Sequence, residues 1–157
     1  MFLWFVATAA LTVYVVFRDD QFDYRLLSVG ALMPDLLDGA TGHARWGHSL
    51  VVAVGVLAVV MATTGRRPIR RLLLGLPIGM LLHLVFDGVF RNATVFWWPF
   101  LGDWEANRLP SLSRGWWNVP LELVGMFVML MAWRRFDLGE QSRRSMLWRR
   151  GTLADTR

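Results

Sequence analysis

The chain has no cysteine in its 157 residues, which excludes disulfides, thiolate metal sites and cysteine nucleophiles. Lysine is also missing, so all 17 basic residues are arginine, a compositional preference that carries no functional information by itself. Charged residues are scarce, at 18% against 55% hydrophobic. There are only three histidines. No basic residue precedes the apolar amino-terminal stretch, and Ala7-Thr8-Ala9 falls too early for a cleavage site. A cleavable signal peptide is therefore not expected, and Met1–Phe17 reads as a retained first helix.

What is present is apolar sequence in blocks rather than at amphipathic spacing, the pattern of membrane spans. Four segments are long enough, or nearly so, to cross: Phe2–Phe17, Ser49–Thr64, Leu72–Phe90 and Val119–Trp133. The third extends about 28 Å at 1.5 Å per residue, against a hydrocarbon core of about 30 Å. A fifth stretch, Leu26–Leu37, is short and carries Pro34, which removes a backbone donor and tends to end or kink a helix. The expected fold is all-α: a polytopic transmembrane bundle of four long helices plus one short or re-entrant helix. It is read as one transmembrane domain over 1–135, followed by a basic cytoplasmic tail over 136–157.

The arginines set the orientation. Gly65–Arg71 holds four positive charges and no acid, and the tail after Trp133 holds seven arginines against Asp137, Glu140 and Asp155. Both are expected to be cytoplasmic by the positive-inside rule. The net charge of +5 lies largely in these two segments, so topology explains it and no nucleic-acid partner is expected. The segment Arg91–Asn118 and the chain just before Ser49 are then extracytoplasmic, whether or not the short stretch crosses. Trp97, Trp98, Trp104, Trp116 and Trp117 in that outer segment read as an interfacial aromatic belt, or as a rim over a site. Asp19, Asp20 and Asp23, near Arg18 and Arg25, read as a solvated loop.

This topology brings the ionisable groups to one side. Asp35 and Asp38 end the short stretch, and His48 opens the next helix. His83 and Asp87 are four apart and share one helix face. Glu122 starts the last helix. Placing such groups in a bilayer costs about 2.5–3.5 kcal/mol each on insertion scales, which makes an intramembrane carboxylate or imidazole a functional hypothesis by default. Imidazole with carboxylate suits a divalent metal, zinc first, with manganese or iron as alternatives. Simpler readings stand beside it. His43 could be a solvated loop residue, Asp35 could cap a turn, Asp38 could be a turn residue before Gly39, and Glu122 could pair with Arg114.

In order and spacing, Gly30-Ala31-Leu32-Met33-Pro34-Asp35, His43-Ala44-Arg45-Trp46-Gly47-His48-Ser49, Leu82-His83-Leu84-Val85-Phe86-Asp87 and Trp98-Pro99-Phe100 resemble the membrane-bound metal-dependent hydrolases of the YdjM-like bacterial inner-membrane type. The resemblance covers roughly 30–101. It implies a helical membrane protein whose divalent metal is held by Asp35, His48, His83 and Asp87, with His43 a fifth candidate. The chain departs from the family pattern in having no histidine near its amino terminus, for which Glu122 is the candidate replacement. Asp38 also follows Asp35 by three positions rather than two.

Two functions of different class follow. The first is a metal-dependent hydrolase at the outer leaflet, acting on a phospholipid-like ester or phosphodiester. Here Glu122 or Asp38 is the base, and Arg45 or Arg114 could hold a phosphate. The second is a non-enzymatic structural or partner-binding membrane protein whose polar cluster ties helices together. A metal or proton carrier is ranked last, because nothing polar continues down Leu50–Met61 or Leu72–Met80.

Overall fold

The computed structural model of the chain describes residues 1–18, 22–40, 42–65, 67–101 and 107–153. Asp19, Asp20, Arg66, Trp104 and Asp155 lie outside these. The fold is helical, in the order Phe2–Phe17 (α1), Tyr24–Gly39 (α2), Leu50–Thr63 (α3), Arg67–Leu73 (α4), Gly75–Asp87 (α5), Ala93–Phe96 (α6), Pro110–Ser113 (α7), Asn118–Arg135 (α8) and Gln141–Arg150 (α9). The one departure among the described residues is a two-residue antiparallel ladder, in which His43–Ala44 (β1) pairs with Asn107–Arg108 (β2) in the register His43 to Arg108.

Two helical stretches are long and apolar enough to cross a membrane: Arg67–Asp87, which joins α4 to α5, and Gly115–Arg135, which contains α8. The other two expected spans are apolar but shorter, with 16 residues in α1 and 14 in α3. At 1.5 Å per residue those reach about 24 and 21 Å. Within the first stretch a turn at Leu74 separates α4 from α5, where Pro77 has no N–H to donate to the carbonyl one turn back.

The Pro34 segment differs from its expectation. Instead of stopping, α2 runs 16 residues through the proline to Gly39. Its start is fixed by Asp23, whose side chain accepts the N–H groups of Arg25 and Leu26 at 2.9 and 3.0 Å. Pro34 itself is fully buried, so packing of the helix body offsets the missing backbone donor.

Helix α2 packs most extensively on α5, and glycine makes the approach possible. A Cβ on Gly79 would run into the backbone of Leu27, Gly30 and Ala31, and one on Gly30 into the backbone of Leu76. Gly75 and Gly79 are four apart on the same face, the small-residue spacing that lets helix backbones touch. α1 packs against α2 and α8, with Gly125 of α8 against the backbone of Leu3 and Trp4.

The core cluster formed by Phe5, Ala9, Val13, Leu27 and Ala31 also takes in Phe136 and Leu153. The basic tail after residue 135 thus packs on the bundle. The Tyr24 N–H donates to the Gly151 carbonyl at 2.8 Å, and the Arg25 guanidinium donates to the Trp148 carbonyl at 2.7 Å.

The outer faces are apolar. Leu123, Phe127, Leu130 and Met131 of α8 and Val15 and Val16 of α1 are exposed, and only Gly125 of α8 is buried. The two ends of the bundle differ in chemistry. One carries Arg67, Arg70 and Arg71 at the start of the α4–α5 stretch, Arg134 and Arg135 at the end of α8, and α9. The other gathers the carboxyl ends of α2 and α5 with the amino ends of α1, α3 and α8.

Candidate metal centre

Asp35, His48 and His83 come from three different elements and offer ligand atoms that all lie within 4.8 Å of one another. Asp35 sits in the last turns of α2. His48 closes a short 3-10 turn, Trp46–His48, immediately before α3. That turn is tied down by Ser49, whose Oγ accepts the Val51 N–H at 3.1 Å and donates to the Trp98 carbonyl at 2.6 Å. His83 points from α5 toward α2, where the glycine-mediated contact leaves no room for an intervening layer.

The two imidazoles are each held by one nitrogen. His48 Nδ1 is 2.7 Å from Asp38 Oδ2, and His83 Nδ1 is 2.7 Å from the main-chain carbonyl of Ala31. A carbonyl only accepts, so His83 Nδ1 carries the proton, and the Asp38 carboxylate selects the same tautomer at His48. In the neutral imidazoles both Nε2 atoms are then lone-pair donors to a ligand. Both are buried, with no hydrogen-bond partner.

They face a common point: His48 Nε2 is 3.4 Å and His83 Nε2 is 3.8 Å from Asp35 Oδ1, and His48 Nε2 is 3.8 Å from Asp87 Oδ2. The 3.4 Å separation is within ion-pair reach but does not have hydrogen-bonding geometry. A tetrahedral ion with bonds near 2.1 Å spaces its ligands about 3.4 Å apart, so the observed spacings suit one ion. The set could hold a metal ion. Buried imidazole nitrogens left without a donor, with the opposite nitrogens hydrogen-bonded outward, are what such a site requires.

Burial disfavours the charged form of His48, but the carboxylates of Asp35 and Asp38 and the nearby Asp87 outweigh it and raise its pKa to about 9, so a cation at this point would take the place of the Nε2 proton. The same carboxylates that attract that proton are the groups that would favour a cation. Phe5 of α1 packs against His83, with ring centroids 3.9 Å apart and the planes tilted by 33°, and closes the inner side. Both carboxylate oxygens of Asp87 are buried without a hydrogen bond. Oδ1 is 3.0 Å from the Arg114 guanidinium, which also donates to the Asp87 main-chain carbonyl.

Three sequence-predicted ligands, Asp35, His48 and His83, thus meet, and the fourth, Asp87, lies beside them with Oδ2 3.8 Å from His48 Nε2. His43 does not join them, because β1 pairs with β2 and holds it on the ladder. Asp38 was a candidate base. It is 1% exposed, and its carboxylate accepts the Arg45 N–H at 2.7 Å and the Gly47 N–H at 3.3 Å besides holding His48. It holds the His48 imidazole from the side away from the centre and is therefore a positioning residue.

Glu122, the other candidate base and replacement ligand, is engaged with the start of α1. Its Oε2 accepts the Leu3 N–H at 3.0 Å, and its Oε1 is 3.7 Å from the terminal amine. The Ala31 carbonyl and Phe5 were not foreseen. A main-chain acceptor leaves no mark in residue identity, and an apolar ring in an apolar helix is indistinguishable from its neighbours. Compared with family models, curated proteins and solved structures, the chain matches none.

Proposed function

We propose that the chain is a membrane-embedded, metal-dependent hydrolase with one divalent ion, zinc first among the options, held by Asp35, His48 and His83, with Asp87 as fourth contact. The observation that carries this reading is the pair of buried Nε2 atoms that lie beside the Asp35 carboxylate with no hydrogen-bond partner while each Nδ1 is held from outside. It also weighs against a purely structural cluster, because helix-tying histidines would spend both nitrogens on hydrogen bonds.

A divalent ion there would supply Lewis acidity and lower the pKa of a bound water to about 7. The chain's part is to hold the ion, fix both imidazoles and keep one side dry with Phe5. The resemblance to the YdjM-like membrane hydrolases points the same way.

Two apolar stretches of membrane-crossing length, exposed apolar faces on α1 and α8 and exposed Trp116 and Trp117 support a multi-pass protein bathed in lipid. The arginine-rich end would face the cytoplasm, and the metal centre would face outward at the depth of lipid headgroups. The substrate class is then a phospholipid-like ester or phosphodiester.

The test is turnover of bis-p-nitrophenyl phosphate and of p-nitrophenyl butyrate by the purified, zinc-loaded chain. The expected result is activity abolished both by chelation and in His83→Ala. Turnover that survives both would overturn the hydrolase reading.

A further inference from the structure

Beside the metal centre lies a cavity of about 750 Å³. Asp87 forms part of its lining, so the cavity reaches the centre through a carboxylate that contacts both His48 and Arg114. Arg91 and Arg114 line it as well, and much of the remaining wall is apolar, including Trp4, Phe86 and Leu121. Val85 and Phe90 belong to the same wall and are 58% and 54% exposed, so the cavity opens onto the outer apolar surface of the bundle.

The charges decide what fits. Asp35, Asp38 and Asp87 are balanced by one divalent ion and Arg114, which leaves Arg91, among the described residues that line the cavity, as the cation available to a ligand. Arg114 has donors to spare. One terminal nitrogen serves Asp87, and the other makes only a long 3.8 Å contact to the Met1 sulfur. A guanidinium has five N–H donors in a planar fork suited to two oxygens of a phosphate. A neutral carboxylic ester would need neither arginine.

Resting on the metal-centre reading above, we propose that this cavity binds the phosphate group of a phosphate ester between Arg114 and Arg91, with an apolar tail leaving over Val85 and Phe90. The site thereby selects phosphate esters over neutral carboxylic esters.

The experiment is isothermal titration of the full chain in neutral detergent with three probes: dihexanoylphosphatidic acid, dihexanoylglycerol and inorganic phosphate. Zinc content is measured on the same samples. The phosphatidic acid is expected to bind and the diacylglycerol not. Arg91→Gln and Arg114→Gln should each weaken binding about tenfold or more, the loss of a charge-assisted contact. Weaker binding of inorganic phosphate supports the tail path, whereas equal affinity overturns that part and keeps the phosphate subsite.

Equal affinity for diacylglycerol and phosphatidic acid, or no effect of Arg91→Gln, overturns the proposal. Asp87 pairs with Arg114 and not with Arg91, so the Arg91 variant decides the matter even if Arg114→Gln fails to fold. A chain with stoichiometric zinc but no arginine-dependent phosphate binding overturns this inference and leaves the metal centre standing. Arg91-dependent phosphate binding to a chain that takes up no metal does the reverse for the metal centre and supports the cavity.

Discussion

His48 and His83 present the same nitrogen to the centre but are held by partners of different kind. Asp38 supports His48 with a charged side chain, and Ala31 supports His83 with a main-chain carbonyl. Only the first can be altered by substitution. Asp38→Asn keeps the size of the side chain and removes its charge, and loss of the partner behind a metal-ligating imidazole costs about tenfold to a hundredfold in metal affinity. A competition titration against a chelator should show zinc binding weakened by that amount but not lost, whereas unchanged affinity would remove Asp38 from the support of His48.

The clustering of Asp35, His48 and His83 was legible in the sequence. The i, i+4 pair His83 and Asp87 shares a face by helix geometry, and chain parity places Asp35 and His48 at the same end. What Asp38 does was not legible, because an aspartate before glycine looks the same whether it turns the chain or holds an imidazole. His43 was equally ambiguous, since nothing periodic governs the loop between α2 and α3.

At the scale of elements, the centre depends on α2 and α5 touching. Gly79 lies where any Cβ would strike the α2 backbone, and overpacking of this kind costs about 1–3 kcal/mol. Gly79→Ala should lower the thermal midpoint in detergent and weaken zinc binding together, because the Ala31 carbonyl moves away from His83. A loss of stability with zinc affinity intact would show that this contact does not set the site.

The amino end of α2 offers a separate test. Burial pushes the Asp23 carboxyl up, but Arg25 and the capped N–H groups outweigh that and leave it below its usual 3.8. A carboxyl with a depressed folded pKa contributes stability that is present above its unfolded value and lost as the pH falls through the folded one. Asp23→Asn should therefore destabilise the chain near neutral pH by about 1 kcal/mol, the usual worth of a cap. The difference from wild type should shrink below about pH 4 as the wild-type carboxylate itself protonates. A difference that is constant with pH would assign the effect to shape and not to charge.

The length of α2 was misjudged from sequence for a physical reason. Polar residues at both of its ends and a proline inside it made it look too weak to continue, and the α5 surface that offsets those costs is remote in the chain.

For the molecule as a whole, the separation of an arginine-rich end from a His/Asp end was readable from block hydropathy and charge alone. The docking of the tail was not. It depends on Gly151, which has φ 76° and leaves no room for a side chain beside the Asp23 carboxylate, and on Phe136 and Leu153 entering a core built by distant helices.

The absence of cysteine makes the orientation directly testable. Trp116→Cys, at an exposed position beside the start of α8, should react with a membrane-impermeant maleimide in intact cells, and Ser145→Cys in α9 only after permeabilisation. The opposite pattern would invert the topology.

The central claim is that Asp35, His48 and His83 hold a divalent ion, and zinc-edge X-ray absorption of the purified full chain tests it most directly. The account predicts one zinc per chain with two imidazole nitrogens and carboxylate oxygen at about 2.0–2.2 Å, and no stoichiometric zinc once His48 and His83 are both replaced by alanine. A wild-type chain that retains no more zinc, manganese or iron than that double variant would contradict it.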